Sequence, residues 1–319
     1  MIATTGEALV DLIEQPDGLF QACLGGSVCN FTLGLARQGL PVTYLNPLSY
    51  DKFGKRFFAL LTENNVLLGS PVASLLTTSL AVVSLDAQGS PTYAFYRESV
   101  ADRDVLAEQL TDRLPAQLNL LHTGGLALVP DDLEKILTVI DHAKKQGATI
   151  SIDANLRPLV VADQQSAYFS GVRCAIAQAH ILKVSDEDLD VLGFGDADMA
   201  DIAAALFEDS SLQLIALTRG SKGALLFTRH CQVEQAAPAS LTVIDTVGAG
   251  DCFHAGLIAY LDRAGKLIAG QNSEELAKLD APFLQKAVKH AIASASLNVM
   301  RAGCNPATWA ETADFAASL

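Results

Sequence analysis

Between residues 118 and 217 the chain alternates two hydrophobic rhythms. Leu118-Asn-Leu-Leu-His122, Ala148-Thr-Ile-Ser-Ile-Asp153, His180-Ile-Leu-Lys-Val184 and Leu212-Gln-Leu-Ile-Ala-Leu217 are short, apolar and compatible with a pleated backbone, so each predicts a strand. Between the first two, Leu133, Ile136, Leu137 and Ile140 recur at helical spacing, with Asp131 opening the segment and Gly147 closing it. Strand, helix and strand make a βαβ unit. Its repetition predicts an α/β fold with a mostly parallel sheet, helices on both faces, and ligands collected outside the carboxyl ends of the strands.

The first hundred residues follow a different pattern. Leu9-Val-Asp-Leu-Ile13 and Leu19-Phe-Gln-Ala22 flank Pro16-Asp-Gly18, while Ser79-Leu-Ala-Val-Val-Ser-Leu85 and Thr92-Tyr-Ala-Phe-Tyr96 flank Asp86-Ala-Gln-Gly-Ser90. Both predict hairpins with glycine-containing turns. Either they are edge strands of the main sheet or they build a sheet of their own. No linker-like stretch and no internal repeat divides the chain.

Composition narrows the partners. With 319 residues, half of them hydrophobic, the chain can bury a large core. A net charge of −14 excludes the basic face that a nucleic-acid partner requires, and it obliges any anionic substrate to meet a local positive site. The opening Met1-Ile-Ala-Thr-Thr-Gly-Glu-Ala-Leu-Val-Asp11 has no basic start and carries acids where a signal peptide is apolar. No apolar run approaches the roughly 18 residues of a membrane span. The expectation is a cytoplasmic protein with neither nucleic-acid nor membrane partner. Six cysteines, at 23, 29, 174, 231, 252 and 304, show no metal-site spacing and predict reduced thiols, with Cys252 buried and inert beside the turn described next.

Near the carboxyl end the chain reads Leu241-Thr-Val-Ile-Asp-Thr-Val-Gly-Ala-Gly-Asp-Cys-Phe-His-Ala-Gly256, a β-type run, a glycine turn, then an acid opening an amphipathic helix. Gly248 and Gly250 let successive N–H groups point into one hollow, to which the helix adds the positive end of its dipole. A phosphate suits that hollow. Asp251 beside it would repel the ligand unless it has a task, and accepting a proton from an attacking hydroxyl is such a task. The plainer reading is a strand-to-helix turn in which Asp251 caps the helix. Two commoner nucleotide motifs fail: Phe253 stands where the dinucleotide fingerprint needs a glycine, and Gly-Lys-Ser/Thr occurs nowhere.

Here the residues resemble a known family, the ribokinase (PfkB) superfamily of sugar and nucleoside kinases. Its carboxyl-terminal signature is similar to Asp245-Thr-Val-Gly-Ala-Gly-Asp251, and its amino-terminal one to Gly25-Gly-Ser-Val-Cys-Asn30 followed by Leu33-Gly-Leu-Ala-Arg-Gln-Gly39. Asp153-Ala-Asn-Leu-Arg-Pro158, Lys183-Val-Ser-Asp-Glu-Asp188 and Leu217-Thr-Arg-Gly-Ser-Lys-Gly223 also fit. The resemblance implies a single ribokinase-like domain over residues 1–319: a three-layer α/β/α architecture with a mostly parallel central sheet. A small β-sheet lid would be inserted at about 8–24 and 76–99. The implied reaction is transfer of the ATP γ-phosphoryl group to a sugar hydroxyl, with Asp251 as base and the N–H groups of Gly248, Ala249 and Gly250 as anion hole. Its place at a helix N-terminus predicts a low pKa for Asp251.

The same resemblance implies that Arg157 clamps a phosphate, the plainer alternative being a surface salt bridge, and that Asp11, Gly25, Gly26, Asn30, Arg97 and Asp251 meet the sugar. Thr218, Gly220, Gly223, Ala287 and His290 would border the nucleotide. Ser185 and Asp188 stand where ribokinases place asparagine and glutamate near the metal-bound phosphates, so Asp188 would meet Mg²⁺ through water. A monovalent cation such as K⁺ would sit near Asp245 and residues 299–303, and a homodimer would form through the lid. One departure is Leu159-Val160, where the family usually has a tryptophan after Arg-Pro. Gly6-Glu-Ala-Leu-Val-Asp11, the Tyr96-Arg97 pair and the Asp-x-Asn-x-Arg-Pro run favour the fructose-phosphorylating branch. 2-Keto-3-deoxygluconate kinase is the alternative, since Arg97 and Arg157 also suit a carboxylate. A nucleoside kinase would need an aromatic cluster in the lid. Outside the kinases stand a sugar-binding regulator without turnover and a dinucleotide-dependent oxidoreductase.

Overall fold

The computed structural model describes residues 1–15, 17–85, 91–161, 164–195 and 197–319. The chain opens with β1 (Ile2–Thr4), forms a hairpin from β2 (Leu9–Glu14) and β3 (Phe20–Gly25), and enters helix α1 (Ser27–Arg37). It continues through β4 (Val42–Tyr44), α2 (Lys52–Glu63) and β5 (Leu67–Leu68) to β6 (Ser79–Leu85) and β7 (Pro91–Tyr96). The predicted turn at 86–90 lies outside the described residues, as does Pro16. Next come α3 (Ala107–Asp112), β8 (Leu120–Gly124), α4 (Pro130–Lys145), β9 (Thr149–Asp153), α5 (Gln165–Gln178) and β10 (Ile181–Ser185). Then follow α6 (Asp186–Val191), α7 (Met199–Phe207), β11 (Leu214–Thr218), β12 (Ala224–Phe227), β13 (Gln232–Gln235), α8 (Ala249–Arg263), α9 (Ala281–Val299) and α10 (Trp309–Ser318).

Nine strands form one sheet in the order β13-β12-β11-β10-β9-β8-β1-β4-β5, in which only β12 runs antiparallel to the rest. Alternate residues of its strands enter two cores. Ala3, Leu121, Leu182, Ile215 and Leu217 face α3, α4, α5 and α7, whereas Ile2, Leu120, Ile181, Leu214 and Ala216 face α1, α2, α8 and α9. Both faces of the strands are therefore apolar, as a sheet buried on two sides requires. The hairpins form a separate four-stranded sheet, β3-β2-β6-β7, in which β2 and β6 pair in parallel. That outcome removes the edge-strand reading.

Two local expectations differ. Helix α4 starts at Pro130 with Val129 as its cap, so Asp131 sits in the first turn, where its charge meets the helix dipole. Residues 241–244 form no strand: Ile244 and Asp245 donate their N–H groups to the carbonyl of Val299, holding the segment against the end of α9.

Because β1 and β8 to β11 run parallel, Thr4, Gly124, Asp153, Ser185 and Thr218 end on one edge of the sheet. Helices α1 and α8 begin beside that edge and pack closely, since a Cβ on Gly34 would lie 2.6 Å from Ala255 Cβ.

Candidate active site

Helix α8 starts from Gly248 in the left-handed conformation, φ 73° and ψ 6°, which favours glycine. The turn is pinned from behind. Asp245 accepts from the N–H of Val247 at 3.0 Å and of Gly303 at 2.8 Å, and Asn298 Nδ2 donates to the Val247 carbonyl at 2.8 Å. The Ala249 N–H, expected in the anion row, donates back to the Thr246 carbonyl at 3.2 Å. Among the described residues no group accepts from the N–H of Gly248, Gly250 or Asp251. These three donors stand at the positive end of the helix.

Asp251 does not cap its helix. Its carboxylate turns to α1, where Ser27 Oγ donates to Oδ1 at 2.8 Å and Asn30 Nδ2 to Oδ2 at 2.9 Å. Burial raises its pKa, opposed by those two hydrogen bonds and by the charges of Lys183 and Arg157. The lowering expected from a helix terminus is thus outweighed by desolvation, which makes the carboxylate a stronger base than position alone predicts.

A buried ammonium lies behind the turn. Lys183, on β10, pairs with Asp153 at the end of β9 at 3.1 Å, and a Cβ on Gly250 would stand 3.0 Å from its Nζ. Burial disfavours the charge, but Asp153, Asp188 and Asp251 together raise the pKa, so Lys183 stays protonated.

Asp11 on β2 lies at 2.6 Å from where a Gly25 Cβ would be, and burial pushes its carboxyl up to about 6 against the opposing charge of Arg157. Gly26, with φ 97°, leads into α1 and Asn30. Arg157 is half-buried; its Nη1 donates to the Leu156 carbonyl at 2.8 Å, and its charge acts on both Asp11 and Asp251. The structure therefore gathers Asp11, Gly25, Gly26, Asn30, Arg157 and Asp251 at one edge.

Residues 1–311 match the family described as pfkB family carbohydrate kinase. The chain belongs to this family. It is 31% identical over 290 residues to a fructokinase of Rhizobium leguminosarum bv. trifolii, covering 89% of this chain and 86% of that one. Among solved structures it resembles the fructokinase of Xylella fastidiosa with bound ATP (TM-score 0.87, 26% identity, 99% and 98% covered). It also resembles the Vibrio cholerae O395 fructokinase in a fructose-, ADP- and calcium-bound form (TM-score 0.79, 27% identity, 98% of each chain). The protein is a phosphotransferase acting on a sugar.

Of the other residues expected at the site of this pfkB kinase, Thr218 and Gly220 stand at the strand-end edge, whereas Arg97, Ser185, Asp188, Gly223, Ala287 and His290 are engaged in packing or hydrogen bonds. Arg97 is 6% exposed; its Nη2 pairs with Asp102 at 2.8 Å and its Nη1 donates to the Leu126 carbonyl at 2.9 Å. A cavity of about 620 Å³ borders Arg97, Phe95, Leu80 and Val160, and Asp251 is not in its wall. Ser185 and Asp188 form a capping box at α6, and Asp188 also accepts from the Leu156 N–H at 2.7 Å. Thr218 ends β11 and Gly220 is exposed beside open space, whereas Gly223 packs against the Gln235 carbonyl. Ala287 is fully buried, and His290 bonds Gln38 at 3.2 Å with its ring 4.3 Å from Trp309. Both side chains lie inside the packing of α9.

Sequence reasoning missed Ser27, Glu7 and Lys183 as site residues. A lysine inside the apolar run His180-Ile-Leu-Lys-Val184 was the readable signal, because a buried ammonium needs a partner. Nothing in Gly25-Gly-Ser-Val foretells where the serine hydroxyl points.

Proposed function

We propose that this carbohydrate kinase transfers the γ-phosphoryl group of ATP to a hydroxyl of fructose, with Asp251 as the base. The observation that carries the reading is the meeting of a buried, hydrogen-bonded carboxylate with three uncommitted N–H groups at the start of α8. In-line transfer needs a proton acceptor at the attacking oxygen and donors around the phosphoryl group, and this arrangement offers both. Lys183 adds charge neutralisation behind the turn, and Arg157 adds it from the side. Asp11, Gly25, Gly26 and Asn30 orient the sugar, while β2, β3, β6 and β7 act as a lid that excludes water and so protects ATP from hydrolysis. Thr218 and the Gly220 turn lie along the nucleotide. The exposed Phe20, Tyr93 and Tyr96 of the small sheet favour pairing of two chains through it.

Among the described residues no three His, Cys, Asp or Glu side chains gather into a metal cage. The residues present fit a Mg²⁺ that arrives on the nucleotide phosphates, keeps its waters and neutralises phosphate charge. Asp188 accepts three hydrogen bonds, leaving one of about four lone-pair positions for a metal-bound water.

Fructose is preferred because the relatives named above are fructokinases and the Vibrio cholerae neighbour holds fructose with ADP. Arg97, which kept 2-keto-3-deoxygluconate open as an alternative, is committed to Asp102 and Leu126. ADP release measured across fructose, 2-keto-3-deoxygluconate, ribose, tagatose and nucleosides tests the assignment. Fructose should give the highest kcat/KM; a higher value for any other acceptor overturns it.

A further inference from the structure

Each oxygen of Asp251 receives one donor from the first turn of α1. Asn30 supplies one and Ser27, the first residue of that helix, supplies the other. Ser27 is held at its opposite end too, since its N–H donates to Glu7 Oε1 at 2.9 Å. Glu7 is 1% exposed, and burial pushes its carboxyl up to about 7, with Arg97 opposing. Among the described residues its second oxygen has no partner, nor does Arg97 Nε, and both residues border a small cavity of about 10 Å³. Buried hydrogen bonds therefore run from Glu7 through Ser27 to Asp251, and the charge of Arg97, just past β7 of the small sheet, acts on Glu7.

We propose that Ser27 is a positioning residue for Asp251. Its hydroxyl fixes the rotamer of the carboxylate and leaves the remaining lone pairs for the acceptor hydroxyl, and Glu7 fixes Ser27 by anchoring the start of α1. The proposal rests on the reading of Asp251 as base. Without the hydroxyl, one charge-assisted hydrogen bond to the ionised carboxylate is lost, so the carboxylate holds its proton to higher pH. The other groups facing Asp251 are unchanged by the substitution: Glu7, Asp11 and Asp153 as carboxyls, Arg157 and Lys183 as cations, and the thiols of Cys29 and Cys304.

The test is the pH dependence of kcat and kcat/KM in Ser27→Ala, Ser27→Cys and Ser27→Thr, each checked for a native thermal transition. Ser27→Ala and Ser27→Cys should lower kcat by about tenfold to a hundredfold, leave the fructose KM within about threefold, and move the acid limb up by about one pH unit. Ser27→Thr, which restores a hydroxyl, should recover most of the rate and return the limb. A raised KM with unchanged kcat would make Ser27 a sugar ligand and overturn the proposal, as would an unmoved limb. Asp251→Asn, run alongside, separates the two claims. Normal turnover there removes the base itself, whereas an inactive Asp251→Asn with an unmoved limb in Ser27→Ala removes only the role of Ser27.

Discussion

Lys183 and Asp251 are charged side chains in a place where charge is costly, and each is tolerated because the other groups of the site surround it. Removing Lys183 leaves Asp153 without its cation, and breaking one partner of a buried pair costs about 3–5 kcal/mol. Lys183→Met should therefore lower the Tm and the rate together. Lys183→Met/Asp153→Asn should recover most of the Tm while kcat stays about 10²- to 10³-fold low, because the positive charge behind the phosphoryl group is still missing. Calorimetry paired with steady-state kinetics decides it, and recovery of turnover in the double variant would reduce Lys183 to a structural partner. The glycines of the turn are constrained differently. Gly248→Ala places a Cβ in a left-handed residue and 2.5 Å from Cys304 Sγ, so it should cost about 1–3 kcal/mol and lower kcat. A wild-type melting curve would contradict that account.

At the scale of elements, the sheet and the helices at its active edge meet through a buried cluster. His122 of β8 bonds Ser151 of β9 at 3.1 Å, Ser151 bonds His254 of α8 at 2.9 Å, and Phe31 of α1 stacks on His122 at 3.7 Å. Burial depresses His122 to about 3, with the charge of Lys183 adding to the effect. The folded protein therefore keeps this imidazole neutral while the unfolded chain protonates it below its ordinary 6.5, so its contribution to stability is lost as pH falls from about 6.5 towards 3. Glu7 and Asp153, both raised to about 7, act in the opposite sense over about pH 4 to 7. His122→Asn should lower the slope of unfolding free energy against pH between 4 and 6 by up to about 1.4 kcal/mol per unit relative to wild type. Denaturant titrations at several pH values measure it, and parallel slopes would show that His122 is not buried as described. The elements themselves were largely legible in sequence. The strand-length apolar runs and the Leu133–Ile140 periodicity predicted β8 to β11 and α4 to within about two residues, because local pattern dictates such segments. The run Leu241–Ile244 misled for the converse reason: its β-type composition is local, while its bonds to Val299 come from α9, far along the chain.

For the whole molecule, glycine motifs marked one side of the candidate site, since Gly248 and Gly250 announce a turn whose proposed function is in the backbone. They did not give the positions of Arg97, His290 and Ala287, which depend on the packing of α9 and of the small sheet. Nor did they give the long-range hydrogen bonds of Ser27 and Asn30 to Asp251, which span more than two hundred residues of sequence. If the small sheet closes over the sugar, fructose should slow amide hydrogen exchange in β2, β3, β6 and β7 as well as in the first turn of α8. Protection confined to α8 would leave the sheet without a gating role. Whether one carboxylate takes the proton from the sugar is decided by the turnover of Asp251→Asn, measured with its fructose KM. In that variant kcat should fall by roughly two to four orders of magnitude with KM little changed; near-normal turnover would remove Asp251 as the base.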